Sequence, residues 1–316
     1  MNWNLFFTEL VAGIVHGSVY ALIALGYSMV YGILKLLNFA HGDIFMVGSF
    51  IGYGILTVFG GALALTIPIG LLLALMFLGA MLGGGLLGVV IERFAYRRLR
   101  EAPRIAPLIT ALGVSFFLEN AALLVLGADY QSFNTFSWNT NSSGLGVLWR
   151  NGFKLPGDVR VSIAQIIVVM GALVLMVALT IFVSRTQLGR AMRAVSYDRQ
   201  AAEMMGIDVN RVIAVTFFIG SALAGAAGIF NCIVFQQLWP YMGFQAGLKA
   251  FTAAVVGGIG NLPGAVIGGL AIGLAESFSI GYLSSAFSDA LVFLLLIAVM
   301  ILRPSGLLGR ADVKKV

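Results

Sequence analysis

Long apolar runs broken by short polar connections dominate this chain. Residues 105–127, 161–183, 212–235 and 284–302 each approach or exceed the ~20 residues that carry a helix across a hydrocarbon core. Extending the same reading gives spans at 5–34, 37–58, 62–91, 105–127, 161–183, 212–235, 246–260, 263–281 and 284–302. The segment 246–260 is short enough to be re-entrant. The first is long, with a break expected near Gly13 and Gly17. The pattern therefore predicts an all-α polytopic membrane protein with eight to ten crossings, short or broken helices included. The alternating short segments of a β-barrel are absent.

Composition sharpens this class. The 316 residues are 60% hydrophobic and 10% charged, with a mean hydropathy of +1.00. Soluble domains carry roughly 25% charged residues, so this chain cannot cover a water-facing surface. Forty glycines, many at small-xxx-small spacing (Gly13/Gly17, Gly48/Gly52, Gly84/Gly88, Gly264/Gly268), let helix backbones approach closely in lipid. The lone cysteine, Cys232, offers no disulfide and no metal-ligand spacing, and reads as a packing residue. No basic cluster or cleavage site marks a removable signal peptide, so the first apolar segment is expected to be a span.

Charge sets orientation. Arg93, Arg97, Arg98, Arg100 and Arg104 fall in one connection, and Arg185, Arg190, Arg193, Arg199 and Arg211 in or beside another. Arg303, Arg310, Lys314 and Lys315 lie in the tail, and Lys35 in an early connection. The positive-inside rule turns all four places to the cytoplasm. Residues 128–160, rich in Asn, Ser and Gly, go to the periplasmic face. The net charge of +6 is thus a topology signal and not a nucleic-acid footprint.

The connection 184–211, "SRTQLGRAMRAVSYDRQAAEMMGIDVNR", is the longest charged segment. Around Arg190 and Arg193, and again over Ala201, Ala202 and Glu203, it holds good helix formers. Asp198 suits the N-cap of the second piece, and Gly206 the C′ position that ends it. The expectation is a short cytoplasmic helix, either a solvated connection or a docking element for a partner.

This connection resembles the coupling loop of permease subunits in ATP-binding-cassette importers, although their Glu-Ala-Ala motif here reads Ala201-Ala202-Glu203. "GSVYALIALGYSMVYGILKLLNFAHGDIFMVGSF" and "YMGFQAGLKAFTAAVVGGIGNLPGAVIGGLAIGLAES" resemble the two halves of the branched-chain amino acid importer permeases, and "RPSGLLGR" fits their ending. The likeness is nearest to the first of the two permease subunits of the leucine/isoleucine/valine class. It implies a non-catalytic subunit of a bacterial inner-membrane importer of branched-chain amino acids, forming half of the path. It also implies a second related permease, two ATPases that hold ATP and Mg, and a periplasmic binding protein. No Gly-x-x-x-x-Gly-Lys-[Ser/Thr] occurs, in keeping with an ATPase supplied by another chain.

Several groups of residues stand out. Asn38, His41, Gly42 and Asp43 are expected near the cytoplasmic entrance of a span. Asp43 would cap a helix starting at Ile44, or the cluster would serve an inner gate. Lys249 and Glu276 sit at matching depths if 246–260 and 263–281 form a hairpin, and are expected to face each other, as a candidate pair, or water. Glu119 and Asp289 have no evident partner. The turn Gly257, Gly258, Gly260, Asn261 and Pro263 offers either a packing turn or a broken-helix element of the path. Tyr20, Tyr27, Tyr31, Phe217, Phe218 and Phe251 are candidate path-lining aromatics.

Other classes remain as alternatives. A same-family permease for urea, short amides or other amino acids would share the scaffold. An intramembrane serine enzyme would need Ser115 within reach of His41, but their sequence depths differ by roughly 9 Å at ~1.5 Å per residue. A passive channel would lack the coupling loop.

Overall fold

The computed structural model describes residues 3–59, 68–100, 102–103, 105–133, 148, 151–155 and 159–309. Arg104, Arg310, Lys314 and Lys315, and much of 128–160, lie outside them.

The chain runs through α1 (Trp3–Leu34), α2 (His41–Thr57), α3 (Ile69–Ile91), α4 (Ile105–Leu126) and α5 (Ile163–Arg185). It continues through α6 (Gln187–Tyr197), α7 (Arg199–Met204), α8 (Val209–Phe235), α9 (Met242–Gly257), α10 (Leu262–Tyr282) and α11 (Ser288–Leu302). A π-turn, Glu92–Tyr96, and a 3-10 turn, Arg97–Leu99, prolong α3. A further 3-10 turn, Ser285–Phe287, precedes α11, and there are two small antiparallel strand pairs. β1 (Gln131–Ser132) joins β4 (Gln237–Leu238), and β2 (Gly152–Leu155) joins β3 (Val159–Ser162).

Among the described residues, seven helices are long and apolar enough to cross a membrane: α1, α3, α4, α5, α8, α10 and α11. The other two apolar helices, α2 and α9, have 17 and 16 residues and pack inside the bundle. α1 and α8 are the central helices, whereas α5 and α11 present most of their apolar surface outward, as lipid-facing helices do.

Glycine decides which helices can touch. A Cβ on Gly17 would come within 2.8 Å of the Leu270 backbone, so only hydrogen lets α1 meet α10 there. Gly13 meets Leu274 in the same way, one turn away. Gly84 of α3 lies against the Ser221 carbonyl of α8, and Gly228 of α8 against Phe45 and Ser49 of α2. The break expected at Gly13 and Gly17 does not occur, because α1 is continuous from Trp3 to Leu34. These glycines serve close approach and keep their helical hydrogen bonds.

The chain breaks instead where two interior helices begin. Lys35 takes a left-handed conformation (φ 56°) after α1, and Gln236 does the same (φ 56°) after α8. Each turns the backbone into the short segment that leads to α2 or α9.

The two ends of the bundle differ in chemistry. One end gathers Lys35, Arg193, Gly260 and Ser305 around one cavity. At the other, Tyr53 donates to Gln131 (3.3 Å), the β1–β4 pair forms, and Tyr130 packs on Trp239. The basic end faces the cytoplasm by the positive-inside rule.

Arg97 and Arg100 have a use beyond topology. Arg97 bonds the buried Glu92 carboxylate at 3.0 Å, and Arg100 also pairs with it. Arg100 further donates to Asn210 (2.6 Å), which ties the end of α3 to the start of α8.

Candidate functional site

The cluster around His41 lies deeper than the sequence predicts. Its imidazole packs against Gly26 and stands edge-on to Tyr27, with ring centroids 4.8 Å apart. Gly26 lies eight residues before the end of α1, about 12 Å along its axis. The connection 35–40 folds back into the protein. There Asn38 accepts a hydrogen bond from the Tyr96 hydroxyl at 2.9 Å.

Asp43 is not the cap of a helix starting at Ile44. α2 starts at His41, its N-cap residue is Ala40, and no side chain caps it. The Asp43 carboxylate instead belongs to the first turn, and the reason is tertiary. α9 also starts inside the bundle, without a side-chain cap. Ala40 is 0% and Met242 2% exposed, whereas Tyr241 and Phe244 beside Met242 are exposed, so the start of α2 is enclosed and that of α9 is covered on one side only. Gly42 of α2 rests on Gly243 and Gly247 of α9, and a Cβ on Gly243 would come within 2.8 Å of Asp43 Oδ1. The carboxylate thus sits where two positive helix ends meet. An anion at one helix N-terminus typically contributes about 0.3–1 kcal/mol.

Ser115 and Glu119 of α4 are polar neighbours of Asp43. Glu119, without an evident partner in the sequence, therefore joins this buried group. The depth difference that residue counting gives between Ser115 and the start of α2 therefore shrinks, because α2 itself starts in the interior and brings Asp43 level with Ser115. His41 faces α1 at Gly26 and Tyr27, so the serine neighbours a carboxylate on the other side of α2.

Lys249 and Glu276 meet at 2.6 Å across the α9–α10 hairpin. Asp289, at the start of α11, binds the same ammonium at 2.7 Å. Its role is invisible in sequence, because the turn from α10 to α11 returns it to Lys249. The Tyr20 hydroxyl is turned to Glu276, and Ser277 donates to Glu9 at 2.7 Å. These contacts bind α1, α9, α10 and α11 at one level.

The connection 184–211 forms two helices. Thr186 caps α6 through the Gly189 N–H (3.0 Å), and Asp198 caps α7 through the Ala201 N–H (3.0 Å). Gly206, at φ +81°, ends α7, with Ile207 N–H bonded to the Ala202 carbonyl at 3.1 Å. Ala202 is buried, whereas Arg190 and Glu203 are exposed. Arg193 donates to the Val183 carbonyl and so closes the end of α5. Met204 and Met205, which as helix formers fall in the body of α7 or at its end, are each 82% exposed. Two apolar side chains within a charged connection were the available signal of that exposure.

The turn 257–263 lies at the basic end. Gly258 (φ +108°) and Gly260 (φ +88°) shape it, and Asn261 caps α10 by accepting from Gly264 N–H at 3.4 Å. The segment Pro304–Gly309 lies across it. Leu307 and Leu308 N–H groups bond the Val256 and Gly257 carbonyls at 2.8 and 3.0 Å, and Asn261 donates to the Leu308 carbonyl at 2.6 Å. The tail thereby satisfies the last carbonyls of α9. Of the six candidate aromatics, Tyr31 lines a cavity here, whereas Tyr20, Tyr27 and Phe217 are core residues.

A helical bundle with two broken helices meeting inside and a capped amphipathic element at its basic end has the form of a membrane transport subunit. A family profile described as "Branched-chain amino acid transport system / permease component" matches residues 9–300. The chain belongs to that family. It is 41% identical over 313 residues to the high-affinity branched-chain amino acid transport system permease protein LivH of Escherichia coli, covering 98% of each chain. It is 41% identical over 308 residues to the corresponding protein BraD of Pseudomonas aeruginosa, covering 98% of this chain and 97% of the relative. A probable branched-chain amino acid transport permease of Methanocaldococcus jannaschii is 29% identical over 316 residues. The chain is a multi-pass protein of the inner membrane and a transport permease subunit.

Proposed function

We propose that this chain forms half of the translocation path of an ATP-driven, binding-protein-dependent importer of branched-chain amino acids. A second, related permease forms the other half. Two cytoplasmic ATPases, which hold ATP and Mg themselves, dock on 184–211. A periplasmic binding protein delivers the cargo. The relatives' transport role supports the choice of cargo.

The observation that carries docking is the exposure of Met204 and Met205 at the end of a helix capped at both ends. Apolar side chains on such a rigid element gain by burial in a partner's groove, at about 25 cal/mol per Å² of apolar area. The route inward is short. α7 leads through Asp208, which caps α8 by accepting from Arg211 N–H at 3.0 Å. α8 carries Gly220 to Gly26, beside His41. A push on α7 is thereby transmitted toward the buried starts of α2 and α9, which open or close the path.

The test is co-expression with the ATPase subunits. Met204→Asp combined with Met205→Asp should abolish co-purification and ATP-driven leucine uptake while the permease stays folded. Normal assembly and uptake would refute the docking role. Competition of uptake by valine and isoleucine, but not by urea or short amides, is expected for the cargo.

A further inference from the structure

We propose that the cytoplasmic end of the bundle holds a binding site for a small aliphatic carboxylate, either the imported amino acid or its 2-oxo acid. Through this site the cell interior restrains import. The inference rests on the proposed cargo class for the ligand's chemistry.

A cavity of about 670 Å³ opens between the end of α1, α6, the 259–263 turn and the tail strap. This is ample for a side chain of leucine size. Two cations line it, Lys35 and Arg193, and the Arg193 guanidinium also donates to the Val183 and Ser184 carbonyls. Among the described residues the lining contains no Asp or Glu, and no carboxylate pairs with Lys35. Lys35 Nζ instead lies 5.7 Å from the Tyr31 ring centroid. The start of α10, at Asn261 to Pro263, adds a positive helix end to the same wall.

A separate observation points to a ligand. Ser28 lines the cavity, is 1% exposed, and its hydroxyl has no hydrogen-bond partner. A buried hydroxyl without a partner is costly, and turning the Ser28 side chain into the cavity would let a bound carboxylate accept from it. Met29, Ile33, Val183 and Ile259 supply apolar wall for an aliphatic chain. Cations, a free hydroxyl and a helix start, together with that wall, define an aliphatic monocarboxylate.

The position gives the site its consequence. Met192 and Arg193 of α6 form one wall, and α1 and the tail strap form the others. A ligand bridging Lys35 and α6 holds the proposed coupling element against α1. Filling the site from the cytoplasm therefore resists the movement that ATP drives, and import slows as the product accumulates.

The test uses the assembled transporter in lipid nanodiscs without its binding protein. Equilibrium binding is measured with labelled leucine, with labelled 4-methyl-2-oxopentanoate and with acetate. Binding of leucine or the oxo acid, but not of acetate, is expected. Lys35→Asn keeps a residue that tolerates the left-handed backbone and removes the charge. It should weaken binding about tenfold or more, since a charged hydrogen bond is lost. Lys35→Arg should retain binding. Preference between leucine and the oxo acid identifies the physiological ligand. Absence of both, equal binding of acetate, or displacement by anionic lipid alone overturns the proposal. ATP-driven leucine uptake by the wild-type transporter with its binding protein is measured separately. Failure there refutes the cargo assignment, whereas uptake unaffected by leucine loaded on the cytoplasmic side refutes the restraint.

Discussion

Replacing Lys249 with Met removes one cation from between two carboxylates. The Lys249 side chain is 16% exposed and that of Glu276 8%, so solvent screens the pair poorly. At 2.6 Å and an effective dielectric of about 20, their gross attraction is about 6 kcal/mol. Desolvation offsets much of this, and the net worth of the intact pair is small. Removing one partner is different, because it strands a buried charge, at a cost of about 3–5 kcal/mol. Asp289 relieves little of that cost. Its side chain is 61% exposed and its link to Lys249 is worth at most about 1 kcal/mol. Lys249→Met should therefore lower the thermal midpoint of the detergent-purified protein by many degrees and depress ATP-driven uptake. Lys249→Met with Glu276→Gln should regain most of the stability, since no buried charge is left alone. The third group also alters the charge-swap test. Lys249→Glu with Glu276→Lys sets the new carboxylate beside Asp289, so full rescue additionally requires Asp289→Asn. A single Lys249→Met variant as stable as the wild type would refute the reasoning. So would a double variant no more stable than the single one.

Two further outcomes follow from backbone geometry. Gly206 has φ +81° and nothing within 4 Å of a would-be Cβ, so substitution there costs backbone strain alone. Gly206→Val should lose about 1–2 kcal/mol and weaken co-purification with the ATPases, whereas Gly206→Asn should be tolerated; equal behaviour of the two in a thermal-shift and pull-down comparison would count against this. Gly17→Val should sharply reduce the yield of folded protein by fluorescence-detected gel filtration, because its Cβ meets the Leu270 backbone at 2.8 Å. Gly54→Ala, which meets nothing, is the neutral control; similar losses at both positions would contradict the packing account.

Particular residues show why some sites were legible in the sequence. Asp198 and Gly206 act within one short helix, and their cap and stop follow from local backbone chemistry alone. Lys249 and Glu276 belong to a single hairpin, so counting rise per residue brings them together. Asp289 and Glu119 depend on helices that return from elsewhere, and no count along one element finds them. Asp43 misled for the same reason. Near a lysine and a glycine it reads as a cap at the membrane edge, but α9 approaches from the opposite side and places the Asp43 side chain between two interior helix starts. Lys35 shows the converse. The 257–263 turn has no cation of its own, yet the fold brings Lys35 and Arg193 to it.

The sequence alone determined that this is an all-helical membrane protein, which end of it is basic, and where its amphipathic connection lies. Those properties follow from local hydrophobicity and charge, since a hydrocarbon layer acts on each segment separately. The tertiary structure alone decided where the helices break, because a left-handed residue such as Lys35 or Gln236 is stable only when the chain beyond it can be buried with its backbone groups satisfied. It also decided which polar groups meet in the interior, since a buried charge is tolerated only beside partners that other helices deliver.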